Sequence, residues 1–543
     1  MKWDTIVIGS GPGGLSAAVA LARAGQKVLV LEQHYLPGGW SHSFTLGGYR
    51  FSPGVHYLGN LHQGGGLRRL YEGLGVAGDL EFCEMNPDGF DHFLIEGRQF
   101  DQPKGVEKWI ARLTAAFPHE REGIARYFSL LSGVVKELQG AEELLRFPKV
   151  LSLPWKAPRL MRWGFRSLQG LLESCIHDPM LRGVLSAQCG NHGLAPSRVS
   201  LPLHASMSAH YYDGAYYPRG GAKRIPRAFI KALRKHGGQL RISTRVEEIL
   251  VEGGRAVGVR TASGERIEAQ HIVCNADPAI VYGKLLPEKY CRAAVRKARR
   301  MEYSVSSVSV FCAVEMDLKA LGYDSGNYWW YRSKDLDGLY RTMEKSMPGP
   351  EIDALFLAIT SLKDPGHTLP GHHTLEMFTF LPYEMFEQWA KTPLGDRGTA
   401  YQALKHQLGE RVMRAADQII PGLSSHVRFL EVGTPLTNDH YCETHRGSLY
   451  GTAKTPWQLG PFSFDQQGPV ERLHFCGAST ISHGVAGAAM SGLMAATPIL
   501  GLQHFEQCLG PTEESLTIYP AEHPEAWLEE PHRAAAPAVA AAH

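Results

Sequence analysis

Six residues near the amino terminus constrain this chain more than anything that follows: Gly9-Ser-Gly11-Pro-Gly13-Gly14. They separate an apolar run, Lys2–Gly9, from an alanine-rich run that favours helix, Leu15–Ala24. A second apolar strand, Lys27–Leu31, ends on Glu32. A strand–turn–helix–strand unit with G-x-G-x-x-G in the turn, and an acid about twenty residues on, predicts a dinucleotide site. Gly9 permits the tight turn, Gly11 lets the backbone approach a pyrophosphate, and Gly14 lets the helix lie close to the strand. The helix start offers N–H donors and a positive dipole end to the phosphates. Glu32 can accept hydrogen bonds from a ribose diol.

A second match, Gly73-Leu-Gly75-Val-Ala-Gly78, lacks that context. It follows a charged, helix-like stretch, Leu67–Glu72, and reads as a helix ending at glycine. One nucleotide-binding unit is therefore expected, with none for a nicotinamide. The net charge of +2 gives no general attraction to nucleic acid. Nine cysteines without a C-x-x-C suggest neither a disulfide framework nor a zinc site, and fit a reducing, cytoplasmic setting. The 25 histidines show no metal-ligand spacing, so no metal is expected. The first strand begins by residue 3, which leaves no room for a signal peptide. Gly484–Leu502 is apolar but rich in Gly and Ala, and reads as a buried helix, not a membrane span.

The nucleotide-binding elements are predicted to be discontinuous. Residues 1–80 hold the first unit. Residues 206–300 hold Gly214–Gly221, a helix over Arg224–His236 and five short strands: Gln239–Ile242, Val246–Val251, Val257–Arg260, Arg266–Ala269 and His271–Asn275. Residues 461–510 add the strand Arg472–Gly477 and the Gly484 helix. Residues 81–205 and 301–460 would form an inserted α+β substrate domain. The tail, 511–543, is rich in Pro, Ala, Glu and His and reads as disordered.

Glu32-Gln33 is followed by Gly38-Gly39, which lets the chain pass close to a cofactor again. Together with Gly477 and Gly484-Val485, this resembles the discontinuous, Rossmann-like α/β FAD-binding fold of the amine-oxidase and phytoene-desaturase type. FAD is the cofactor so implied. The helix at Gly484 would stabilise negative charge on the flavin edge. One departure is Ala478, where many relatives carry an acid.

Four stretches narrow the resemblance: Leu31–Gly39; Phe51-Ser-Pro-Gly-Val-His56-Tyr57-Leu-Gly59; His210–Gly221, containing Tyr217-Pro-Arg219-Gly220-Gly221; and Thr434-Pro-Leu-Thr-Asn438, continuing to Gly451. Together they are similar to the retinol saturase group of the phytoene desaturase and carotenoid isomerase superfamily. The resemblance implies a flavin enzyme acting on carbon–carbon double bonds of an apolar polyene. Saturation is favoured, with desaturation or redox-neutral isomerisation as alternatives, and amine oxidation or lipid carriage behind them. Saturation or desaturation needs an external electron donor or acceptor. His56 and Tyr57 are the candidate proton-transfer residues. Gly9, Gly11, Gly13, Gly14, Glu32, Gln33, Gly38, Gly39, Tyr217, Arg219, Gly220, Val246, Gly477, Gly484 and Val485 are the candidate cofactor contacts.

The segment 146–172 stands apart. Arg159, Arg162 and Arg166 fall on one helical side and Met161, Phe165 and Leu168 on another, as in an interfacial helix on anionic lipid. Peripheral contact with the inner face of a membrane is the expectation.

Overall fold

The computed structural model describes residues 2–139, 152–345, 349, 351–366, 369–512 and 514–528. Its first sheet is the one the glycine turn requires. Trp3–Ile8 lies between Val28–Leu31 and Arg266–Cys274, parallel to both. Gln239–Arg241 extends it beyond Val28–Leu31, and Leu473–Phe475 beyond Cys274, again in parallel. Val28–Leu31 is wholly apolar and Trp3–Ile8 is apolar after Asp4 and Thr5, because both faces of the sheet are covered, the signature of a parallel sheet. Arg266–Cys274 is one strand where two short ones were expected. Its first residues pair antiparallel with Arg255–Thr261, and its last ones parallel with Trp3–Ile8. Val246–Glu252 completes the antiparallel edge.

Helix Pro12–Arg23 packs between Gly484–Ile499 and Arg224–Lys235. The approach to Gly484–Ile499 is close: a Cβ on Gly492 would lie 2.0 Å from the Gly13 carbonyl oxygen. Gly484–Ile499 thus spends its small residues on contact with another helix. Among the described residues, no helix is long and apolar enough to cross a membrane.

A second sheet runs in the order Val427–Gly433, Ser306–Val314, His373–Leu381, Ala354–Ile359, Asn327–Tyr331, Asp91–Ile95, Arg98–Gln102. Alternation along Ser306–Val314 sorts its faces. Val308, Val310 and Cys312 join the core beneath helix Gly398–Ala416, whereas Ser309 and Phe311 face cavities. Tyr328, Trp329 and Tyr331 are core residues.

Two expectations are corrected here. The tail is not disordered from residue 511: Thr517–Pro520 is a strand beside Glu81–Glu84, which in turn pairs with Tyr216–Pro218. The β-forming run Thr-Ile-Tyr finds a waiting edge there. Residues 529–543 lie outside those described. Nor is 146–172 one interfacial helix. Residues 146–151 lie outside those described, and the rest divides into Leu153–Lys156, Pro158–Trp163 and Leu168–Cys175. Met161 and Phe165 are exposed but Leu168 is fully buried, so the apolar row does not share one face.

Candidate active site

The carboxyl ends of the parallel strands open into a cleft of about 280 Å³, the usual place for a ligand in such a sheet. Ile8, Leu31, Asn275 and Cys476 mark the strand ends. Of the residues predicted from sequence, Gly9, Gly11, Glu32, Gln33, Gly39, Val246, Gly477, Gly484, Val485 and His56 line it.

Gly9 has φ +92°, which favours glycine. Gly13, Gly14 and Gly38 stand behind the lining. A Cβ on Gly14 would lie 2.1 Å from the Gly9 carbonyl oxygen, so the helix touches the strand only because this residue is glycine. A Cβ on Gly13 would lie 2.6 Å from Asn275 Oδ1 and 2.9 Å from the Ala488 carbonyl oxygen. The Gly38 N–H donates to Ser10 Oγ at 3.0 Å. Glu32 is buried and held in place: the Ser10 N–H and Oγ–H donate to Oε2, and the His34 N–H donates to Oε1 at 2.8 Å. Three donors leave a carboxylate room for a ribose hydroxyl.

Two helices begin at the cleft without a cap from their own N-cap residue. Neither Pro12–Arg23 nor Gly484–Ile499 has an acidic residue in its first turn or a side-chain cap. Asn275 takes the Gly14 N–H, and the remaining positive dipole ends suit an anionic ligand. The residues therefore fit a dinucleotide: a glycine cradle with no space for side chains, an oriented acid, and two helix starts.

Sequence reasoning missed Asn275 and Asp277, because neither stands in a recognisable pattern. Asn275 Oδ1 accepts the Gly14 N–H at 3.0 Å and locks the glycine turn. Asp277 lines the cleft beside Ala478 and accepts from Ser479 Oγ and Tyr303 Oη. It supplies a carboxylate near the position where Ala478 has none.

His56 stands on the second-sheet side. Its Nδ1 lies 3.0 Å from Glu376 Oε2, and its ring rests on Phe356 and Phe378. Nε2 takes no protein partner among the described residues, so it remains available to the cleft. Lys363 lies directly behind: fully buried, it donates from Nζ to the His56 carbonyl oxygen at 2.8 Å and to Asn327 Oδ1. Burial pushes its ammonium down to about 7, against the pull of Glu376 and Asp91. Lys454, also buried, donates to Thr452 Oγ1 and to the Ala478 carbonyl oxygen, and burial pushes it down to about 7 as well. No sequence signal marked either lysine.

Other candidates go elsewhere. Tyr57 turns away from the cleft: it stacks on Tyr211 and donates to buried Asp91 at 3.4 Å, and burial holds its phenol well above the usual range. Tyr217, Arg219 and Gly220 do not reach the cleft. Tyr217 Oη donates to Ser52 Oγ, and the Gly220 N–H donates to Asp364 Oδ2 at 2.8 Å. Arg219 pairs with Glu81 and faces the stacked Tyr519 and Trp527 rings, 5.1 and 4.9 Å from their centroids. The tail claims Arg219, a partner that a disordered tail could not provide. His483 occupies the cap position before Gly484, gives no side-chain cap, and bonds the Asn191 carbonyl oxygen at 2.8 Å.

A second chamber, of about 730 Å³, adjoins the cleft and shares His34, Leu36, Trp40, Pro53, Ser309 and Tyr441 with it. Phe44, Phe311, Leu394 and Val432 make much of its wall apolar.

The family model for flavin containing amine oxidoreductases matches residues 12–500. All-trans-retinol 13,14-reductase of Rattus norvegicus is 31% identical over 524 residues, covering 92% of this chain and 86% of the relative. Chloroplastic prolycopene isomerase of Arabidopsis thaliana is 28% identical over 510 residues, covering 91% and 82%. Among solved structures, an oxidoreductase from Methanosarcina mazei has a TM-score of 0.63 at 18% identity, covering 90% of this chain and 99% of that one.

Proposed function

This chain belongs to the flavin containing amine oxidoreductase family, and from that premise we propose that it exchanges hydrogen with the carbon–carbon double bonds of an apolar polyene. Its cofactor is FAD. The observation that carries the substrate reading is the junction of the glycine-cradled cleft with an apolar chamber through one shared wall. A long substrate can lie along the chamber and present one double bond to the cleft.

In this reading the cofactor is held by Gly9, Gly11, Glu32, Gln33, Gly39, Val246, Gly477, Gly484 and Val485. Bound FAD supplies hydride exchange with carbon. The chain's residues supply position, dryness and a proton. Phe378 and Trp40 keep water from the reacting bond. His56 exchanges a proton at Nε2, and Glu376, at Nδ1, fixes the ring and its tautomer. Lys363, bonded to the His56 carbonyl oxygen, is a positioning residue.

Saturation is the direction favoured, by the relative at 31% identity; isomerisation is the second reading, by the relative at 28%. Saturation draws electrons from a separate donor. Contact with a bilayer belongs to the same proposal. Phe165 (52% exposed), Trp457 (66%) and Phe462 (40%) cluster on the surface, with Arg162 and Arg166 against neighbouring Trp163. Exposed aromatics beside arginines suit an anionic interface.

The test is anaerobic incubation of the holoprotein with reduced FAD and a panel of retinoids and carotenoids, read by absorption and mass. A product two mass units heavier with a shortened chromophore is the expected result. Unchanged mass with altered retention would replace saturation by isomerisation. No change in any polyene, also with oxidised FAD and a quinone, would overturn the substrate class.

A further inference from the structure

The chamber beside the cleft carries charge that a neutral polyene does not use. Four cations line it, Lys223, Arg227, Arg397 and Lys405, against one carboxylate, Glu431. Glu431 is already engaged by Lys405 at 2.5 Å. Arg397 is the telling one. It is 9% exposed, yet forms no ion pair with a carboxylate among the described residues. One guanidinium nitrogen donates to Tyr401 Oη at 3.1 Å and another to the Leu436 carbonyl oxygen at 3.5 Å, while its buried Nε has no partner.

Arginine cannot shed its proton to escape burial, so a buried guanidinium without a counter-anion is a standing cost. The planar fork of that group also matches a carboxylate in two places at once. Lys223, just before helix Arg224–Lys235, adds to the imbalance. Burial, and then the charges of Arg50, Arg227 and Arg224, depress its ammonium. The room thus combines an apolar lining with an excess of positive charge.

We propose that the chamber binds a long apolar molecule ending in an anion, a carboxylate, with the anion set against Arg397 and the chain lying past Phe311 and Trp40 toward the cleft. This rests on the reading of the chamber as the substrate's room. It adds the chemistry of the substrate's far end, and places polyene acids ahead of polyene alcohols and hydrocarbons as ligands. An anion beside Arg397 pairs the charge, a cost that a neutral ligand leaves in place.

The experiment titrates the FAD-loaded protein with cis-parinaric acid, a tetraene fatty acid that fluoresces in apolar sites, and with its methyl ester and alcohol. The acid is expected to bind at least about tenfold more tightly than the ester, the factor that corresponds to one charge-assisted hydrogen bond. Arg397→Met should bring the acid down to the ester's affinity and leave the ester unchanged, and Arg397→Lys should restore part of the difference. Equal binding of acid and ester, or a preference that survives Arg397→Met, overturns the proposal while the polyene reading stands. Failure of all three probes to bind overturns both. If Arg397→Met yields no folded yellow protein, Lys223→Gln decides. It should weaken the acid alone, by a smaller factor, and unchanged acid affinity there overturns the proposal.

Discussion

Gly492→Ala tests the architecture of the cofactor site from outside it. Gly492 lies two turns inside helix Gly484–Ile499 and does not line the cleft. A methyl group there would stand 2.0 Å from the Gly13 carbonyl oxygen, 2.8 Å from the Gly13 carbonyl carbon and 3.1 Å from the Ala17 nitrogen. All three are backbone atoms, so no side chain can swing aside. To reach an ordinary contact of about 3.3 Å the helices must part by roughly 1.3 Å, more than a packed core absorbs without strain. Overpacking of this kind costs about 1–3 kcal/mol where side chains can yield, and a backbone clash belongs at the upper end or above. The helices that part are the two whose N-termini face the cleft, so the loss should fall first on the cofactor. The assay is the ratio of flavin to protein absorbance in the purified variant, with the thermal midpoint of the FAD-free protein measured beside it. At least a tenfold loss in FAD affinity and a midpoint several degrees lower are expected. Gly66→Ala is the control, because nothing lies within 4 Å of its added Cβ. Full FAD occupancy and an unchanged midpoint in Gly492→Ala would refute the argument that this contact sets the cleft.

Three further outcomes are expected. His56→Gln should retain FAD but lower turnover by about 10²–10⁴-fold, the usual worth of a positioned acid or base, and Glu376→Gln should lower it less; normal turnover in both would remove His56 from the mechanism. Lys363→Met should change how stability depends on pH. Native Lys363 is depressed to about 7 and the unfolded chain titrates near 10.5. Between these values folding releases a proton, so the group's contribution to stability rises with pH. Denaturant midpoints at pH 7 and pH 9.5 should therefore differ more in the wild type than in the variant, with Lys454 unchanged in both. Arg219→Ala should loosen the C-terminal strand, read as faster proteolysis near residues 510–516, while FAD content holds; loss of FAD instead would return Arg219 to the cofactor site.

How much of this was legible in the sequence depended on the range of the interaction. The glycine turn, Glu32 and the Gly484 helix were readable because their chemistry lies within a few residues of a local pattern. Tyr217, Arg219 and Gly220 form an equally distinctive run, but their partners are Ser52, Glu81, Asp364, Tyr519 and Trp527, all remote in sequence. Nothing in the run itself distinguishes a cofactor contact from a rigid turn that docks a tail. Lys363, Lys454, Asn275 and Arg397 were invisible for the same reason. A lone lysine or arginine reads as surface until the fold shows that it is buried. Tyr57 beside His56 was unreadable too, because both lie in an irregular stretch after the strand ending at Phe51, and only the fold shows Tyr57 set against Tyr211 and Asp91.

The first sheet draws its strands from residues 3–31, 239–274 and 473–475, and the helix packed on Pro12–Arg23 ends at Ile499. During synthesis, therefore, the glycine turn leaves the ribosome first and waits for most of the chain before its last neighbours exist. Until then the alanine-rich face of Pro12–Arg23, later covered by Gly492 and its helix, stays open to water or to a chaperone. A chain that terminates before residue 473 is not a smaller enzyme but an unfinished sheet, and the cell should treat it as one.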